Sequence, residues 1–331
     1  MPARFKTRSC AVRVTAAAAF AALLSVAFWV PESSAQESRL QEVAPGIWFR
    51  LGERDQGHCN NTIIEMADYL IVIDANFPSG ANLVMEDIKS VSSKPVKYVF
   101  DTHHHGDHLY GNPVWTKAGA TTLAYHTVLQ EIARYEPQGW QSAASSRPDV
   151  AELGLATAEP PMEVFSQIPH VIEDSTRRVE FHFFGWAHTR GDGFAYLPNE
   201  GVLVTGDAIT NGPFNFMGHG NIGNWPNVIE RAKRLRFDKV LPGHGPRGGR
   251  EVLDGQQAFM REIHASVSSA IGSGQSLADF VTMTDGSPTA TSIKLSAAAQ
   301  NWVGPSFPLQ VMFTYEEISQ GKPHGEIVGG K

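Results

Sequence analysis

The six positions His103-His104-His105-Gly106-Asp107-His108 hold four imidazoles and a carboxylate, directly after the apolar run Val96-Lys97-Tyr98-Val99-Phe100. That run has the composition of a buried strand and ends at Asp101. His103 and His105 lie two apart, so on extended backbone both point to one side, and His104 is expected to point away. Gly106 lets the chain turn, after which Asp107 and His108 can face the same cavity. Neutral imidazole and carboxylate are first-choice ligands for zinc and similar divalent ions.

A solvated histidine-rich loop would account for this cluster alone, but the arrangement recurs. Gly185-Trp186-Ala187-His188-Thr189-Arg190-Gly191-Asp192 follows a second strand pattern, Thr205-Gly206-Asp207 a third, and Pro242-Gly243-His244-Gly245 a fourth. Each puts a His or Asp at a strand end beside glycine, where a side chain reaches a metal from a loop. Asp101, Thr189 and Asp192 are candidates to orient the imidazole rings, or equally to hydrogen-bond within turns. Eight other histidines (His58, His104, His126, His170, His182, His219, His264 and His324) read mostly as surface or packing residues. The glycine-rich segment 211–224, with Phe214, Phe216, Met217, His219 and the following Trp225, reads either as a cleft wall or as packing for the tail.

Around these sites, strand and helix patterns alternate in two successive halves. Strands are expected at 47–51, 61–66, 69–73, 96–100 and 121–125, and again at 179–184, 193–197, 201–205 and 239–241. Apolar residues at helical spacing mark 81–91, 113–117, 127–135 and 228–235. Residues 138–161, rich in Ser, Ala, Glu and Pro, read as an insertion or lid. The tail from Arg250 reads as mainly helical, broken at Gly272-Ser273-Gly274. Such alternation predicts an α/β fold of two sheets covered by helices.

The first 35 residues stand apart. Arg4, Lys6, Arg8 and Arg13 precede an apolar run at 14–30, and Pro31-Glu32-Ser33-Ser34-Ala35 supplies small residues before Gln36. That order is the signature of a secretory leader cut after Ala35. The run is at the short end of the membrane-spanning range and no second long apolar run follows, so cleavage rather than a stable membrane anchor is expected. An exported, periplasmic or secreted protein follows. Taking the leader's four Lys/Arg and one acid from totals of 27 and 34 leaves 23 basic and 33 acidic residues, a net charge of −10. A nucleic-acid partner needs clustered basic residues, and that balance argues against one. Cys10 leaves with the leader, so Cys59 has no partner for an internal disulfide. It reads as a small buried hydrophobe rather than a nucleophile.

The motif set resembles that of the metallo-β-lactamase superfamily of metallohydrolases: His103-x-His105-x-Asp107-His108 matches its hallmark, and His188, Asp207 and His244 match its remaining ligand positions. The match runs from about residue 43 to 245. It implies a four-layer αββα sandwich with the metals at one edge, here as a single domain over 36–331 with a mainly helical tail at 250–331. Carried over, His103, His105 and His188 hold a first metal, Asp107, His108 and His244 a second, and Asp207 bridges both. The implied cofactors are two divalent ions, zinc first, with iron or manganese as alternatives. The implied reaction is hydrolysis of an ester, thioester or amide bond in a small molecule, with a hydroxide bridging the ions as nucleophile. Asp107 is the implied proton carrier.

Within the superfamily, the Gly220-Asn221-Ile222-Gly223-Asn224-Trp225-Pro226 segment is similar in layout to exported zinc β-lactamases. An Asp rather than a Cys at 207 is instead similar to lactonases and hydroxyacylglutathione hydrolases. A persulfide-dioxygenase-like enzyme would use one iron and need neither His108 nor His244. A non-catalytic metal-binding module would be free to lose ligands, and here all seven are present.

Overall fold

A computed structural model describes residues 39–328; the leader and its cleavage site after Ala35 lie outside them. Seven strands form the first sheet in chain order: β1 Leu40–Ala44, β2 Ile47–Arg50, β3 Asn61–Glu65, β4 Leu70–Ile73, β5 Val96–Asp101, β6 Thr121–Tyr125 and β7 Glu163–Phe165. Pairing is antiparallel from β1 to β4 and parallel from β4 to β7. The second sheet comprises β8 His170–Glu173, β9 Arg178–Phe183, β10 Gly193–Leu197, β11 Val202–Val204 and β12 Lys239–Leu241. Its order is β12-β11-β10-β9-β8, and only β11 and β12 run parallel. The helices are α1 Pro78–Val91, α2 Gly106–Leu109, α3 Asn112–Lys117, α4 Thr127–Ser146, α5 Pro148–Ala151, α6 Trp225–Ala232, α7 Arg250–Gly272, α8 Leu277–Phe280, α9 Phe307–Gln320 and α10 His324–Val328.

The two-residue period of extended backbone sorts the apolar side chains into layers. Ile47 and Phe49 of β2, Ile71 and Ile73 of β4, and Ala195 and Leu197 of β10 meet in one core between the sheets, with Phe100, Phe181 and Leu241. The alternate residues face outward. Trp48, Ile63, Val72 and Val99 pack on Ala81, Val84 and Ile88 of α1 and Trp115 of α3. Phe194, Tyr196, Leu203 and Val240 pack on Val228 and Ile229 of α6 and Leu253 and Phe259 of α7. Each fully buried Ile or Phe in these layers contributes roughly 1.5–3 kcal/mol. The fold is the four-layer αββα sandwich expected from the resemblance.

Three stretches differ from the sequence reading. α4 does not stop near 135 but continues through Pro137 to Ser146, because Trp140 is buried against Tyr110, ring centroids 4.9 Å apart. Much of the expected lid is therefore helix. The tail is helical but contains a hairpin, β13 Val281–Thr284 and β14 Ser287–Thr291. Its Asp285-Gly286 turn has both residues at positive φ, 51° and 78°, the two-residue turn that Asp-Gly favours. The edge strands β1, β7 and β8 had no sequence signal strong enough to place them. Among the described residues, no helix is long and apolar enough to cross a membrane.

Candidate metal centre

The parallel strands β4, β5, β11 and β12 deliver their carboxyl ends to one edge of the sandwich, the place where α/β sheets ordinarily carry ligands. His103 and His105 follow β5, Asp107 and His108 sit on α2, and His188 lies in the β9–β10 connection. Asp207 follows β11 and His244 follows β12. Gly206, at φ 50°, turns the Asp207 carboxylate inward. A Cβ at Gly243 would run into that carboxylate, which explains the glycine before His244.

The seven residues gather as two linked trios. Ligand atoms of His103, His105 and His188 lie within 4.8 Å of one another, as do those of Asp107, His108 and His244. In the first trio, His105 Nδ1 is 3.0 Å from His103 Nε2 and 2.9 Å from His188 Nε2. In the second, Asp107 Oδ2 is 3.1 Å from His244 Nε2 and 3.5 Å from His108 Nε2. Asp207 stands between the two. Its Oδ1 is 2.8 Å from His244 Nδ1 and 3.5 Å from His108 Nε2, and its Oδ2 is 3.8 Å from His188 Nε2.

This donor set fits divalent ions. Three imidazole nitrogens converging on one point cannot all be satisfied by each other's single protons, but they match a tetrahedral cation. In the second trio, His108 Nε2 is fully buried and has no hydrogen-bond partner. A buried polar atom left so is costly unless something else binds it.

Electrostatics divides the trios. Burial, reinforced by neighbouring imidazoles, holds His103 and His105 well below the ordinary histidine range, and burial pushes His188 down to about 4. These rings are neutral and ready to ligate. Burial opposes charge on His244 as well, but Asp207 and Asp107 outweigh it and lift His244 to about 10. His108 is likewise held well above its usual value, against burial, by the carboxylates of Asp74, Asp107 and Asp207. Burial disfavours the charge of Asp207, yet His244 and His108 keep it a carboxylate.

Of the candidate orienting residues, Asp192 accepts from Ala187 N, Thr189 N and Thr189 Oγ1, fixing the turn that carries His188. Asp101 accepts from Asn112 Nδ2. Asp74 was missed: its Oδ2 lies 2.9 Å from His108 Nδ1 and its Oδ1 accepts from Thr102 N. It follows β4 as Asp207 follows β11, so its signal was a carboxylate at a strand end without the adjacent glycine. Phe214 lies over His244, centroids 5.8 Å apart, and Phe216 stands edge-on to His105 at 5.5 Å. Those two aromatics wall the site, whereas Met217 and Trp225 are core. His58, His182 and His324 are held by Glu53, Glu180 and Glu316, away from both trios.

The sequence profile described as the metallo-beta-lactamase superfamily matches residues 54–244, a span that contains all seven residues. The chain belongs to the metallo-beta-lactamase superfamily. It is a metallo-hydrolase of that superfamily. A probable metallo-hydrolase of Methanocaldococcus jannaschii is 24% identical over 222 residues, covering 62% of this chain and 96% of the relative. Two solved structures share the fold. A metallo-beta-lactamase from Pontibacter korlensis gives a TM-score of 0.54 at 18% identity, over 67% of this chain and 98% of the other. The enzyme FIM-1 from Pseudomonas aeruginosa, in a mono-zinc form, gives 0.50 at 21% identity, over 65% and 91%. Helices α7, α9 and α10 lie beyond the stretch matched by the superfamily profile.

Cys59 is not expected to act as a nucleophile. It is fully buried, and burial pushes its thiol up to about 12, so no thiolate forms near neutral pH. Cys59→Ala is expected to keep hydrolytic turnover within about threefold of the parent, since no barrier-lowering step passes through the thiol. Loss of turnover in a well-folded variant contradicts this.

Proposed function

We propose that this chain is a binuclear metal-dependent hydrolase of an ester, thioester or amide bond in a small molecule. The observation that carries the reading is Asp207, one carboxylate placed between two complete trios. His103, His105 and His188 would hold one ion, and Asp107, His108 and His244 the other, with zinc as the first choice for imidazole and carboxylate ligands. Bound ions would supply Lewis acidity toward the scissile carbonyl and lower the pKa of a coordinated water.

The chain's own groups do the rest. Asp107, partly exposed and kept ionised against burial by His108 and His244, is placed to accept a proton and return it to the leaving group. Phe214 and Phe216 stand against His244 and His105 and cover those rings on one side. The second trio is complete, which favours this reading over a mono-iron persulfide-dioxygenase-like enzyme and over a non-catalytic metal-binding module. The test is a panel of β-lactam, lactone and thioester substrates with metal-free and zinc-reloaded protein. Turnover of one class that vanishes without metal and returns with it supports the reading. Equal turnover without metal overturns it. A β-lactamase is told from a lactonase or a hydroxyacylglutathione-hydrolase-like enzyme by which class reacts.

The protonation pattern adds a second check. Ligating histidines must be neutral, so loading the first trio near pH 7 is expected to release almost no proton. Loading the second should release about two, from His108 and His244. Calorimetry in buffers of different ionisation enthalpy reads this directly. The His244 share of that release should fall away as pH rises through about 10, where His244 loses its proton unaided. Equal release for both ions contradicts the assignment.

We also propose export, on the leader alone. Protein from an exporting host should begin at Gln36 by mass spectrometry, and an intact Met1 on membrane-bound material would favour an anchor.

A further inference from the structure

His105 meets other imidazoles at both ring nitrogens. Its Nδ1 faces His103 and His188, and its Nε2 lies 2.9 Å from His219 Nδ1. A neutral imidazole carries one proton, and only the nitrogen without it can ligate an ion. Whether Nδ1 is free is therefore decided at Nε2, by His219.

His104 in turn decides His219. Its Nε2 lies 3.1 Å from the same His219 Nδ1, while its own Nδ1 is buried without a partner. Orphaned buried N–H groups are rarer than under-used acceptors, which puts the His104 proton on Nε2, pointing at His219. His219 Nδ1 is then an acceptor, and its own proton sits on Nε2. His105 Nε2, the nearer of the two at 2.9 Å, shares that one lone pair in a three-centre arrangement, which holds the His105 proton on Nε2 and leaves the Nδ1 lone pair facing His103 and His188.

The surroundings hold this arrangement in place. The Tyr135 ring stacks on His219 with centroids 3.6 Å apart and planes at 15°, and on His104 at 5.3 Å and 20°. Tyr135 Oη donates to Gly325 O, and Trp186 Nε1 donates to His219 O. We propose that His219 and His104 are positioning residues that preset the tautomer of His105, so that Nδ1 is offered to the first ion. The inference rests on reading His105 as a ligand. Ligating histidines are ordinarily oriented by a carboxylate, a carbonyl or water; here the orienting acceptor is another imidazole.

Two variants separate the acceptor from the packing. His219→Phe keeps a ring against Tyr135 but has no lone pair. His219→Asn loses the ring but places an amide oxygen near the position of Nδ1. Zinc affinity of the one-ion form, read by chelator competition, is expected to fall roughly 10–100-fold in His219→Phe and to stay within about threefold in His219→Asn. Nitrogen-15 NMR of the metal-free parent should show His105 already protonated on Nε2. An Nδ1–H pattern there, parent-like affinity in His219→Phe, or an Asn variant as weak as Phe overturns the proposal. A parent that shows the Nε2–H pattern yet binds no zinc upholds the preset tautomer and defeats the metal-centre reading instead.

Discussion

Asp207→Ala is expected to lower the bound metal from two ions to one per chain and to cut turnover by more than tenfold, at least about 1.4 kcal/mol of barrier. Two divalent cations about 4 Å apart repel by something on the order of 15 kcal/mol at an effective dielectric near 20. A carboxylate between them offsets much of that. Asp207 lies within 4 Å of nitrogens from both trios on its two separate oxygens: Oδ1 toward His108 and His244, Oδ2 toward His188. Without it the first trio keeps three neutral imidazoles, a complete protein ligand set for zinc. The second trio keeps its ligands but loses the neutralising charge, so its ion leaves first. Elemental analysis with a turnover assay, and circular dichroism to check the fold, decides the matter. Two tightly held ions and unchanged turnover would reduce Asp207 to a turn residue.

Glu317→Ala is expected to cost about 3 kcal/mol or more of stability and to lower the melting temperature by roughly 6 °C or more. The Glu317 carboxylate on α9 accepts from Ile222 N and Gly223 N in the loop that follows the site wall, and from His324 N at the start of α10. It is 7% exposed, and its bonds from Ile222 N and His324 N are buried, so removing it strands two donors that water does not readily reach. An unsatisfied buried donor costs about 1–3 kcal/mol each. The same loop carries His219 and Phe216, so Glu317→Ala should also weaken metal binding. A variant that melts with the parent would show that those amides find other partners.

The candidate ligands were legible because each sits where an apolar strand pattern breaks at glycine, and the break and the His or Asp beside it are both visible in one dimension. The layers were legible for a related reason: β2, β4 and β10 alternate which residues face the inner core, as extended backbone requires. What sequence missed depends on partners far along the chain. α4 persists past Pro137 because of Trp140 packing on Tyr110, thirty residues upstream. His104 was expected to point away from its neighbours. It does leave the first trio, but toward His219, 115 residues later, where it forms part of a second imidazole cluster. Asp74 gave no glycine to flag it. The Asp285-Gly286 hairpin was the exception: its turn signal is local and was overshadowed by the helical pattern on either side.

The central claim is that the two trios form one binuclear site joined by Asp207. X-ray absorption on protein loaded with two equivalents of zinc tests it most directly. The account predicts nitrogen and oxygen neighbours at about 2.0–2.2 Å together with a zinc–zinc distance of about 3.5–4 Å that disappears in Asp207→Ala. A protein that takes up only one ion, or two ions with no zinc–zinc vector in the parent, would contradict it.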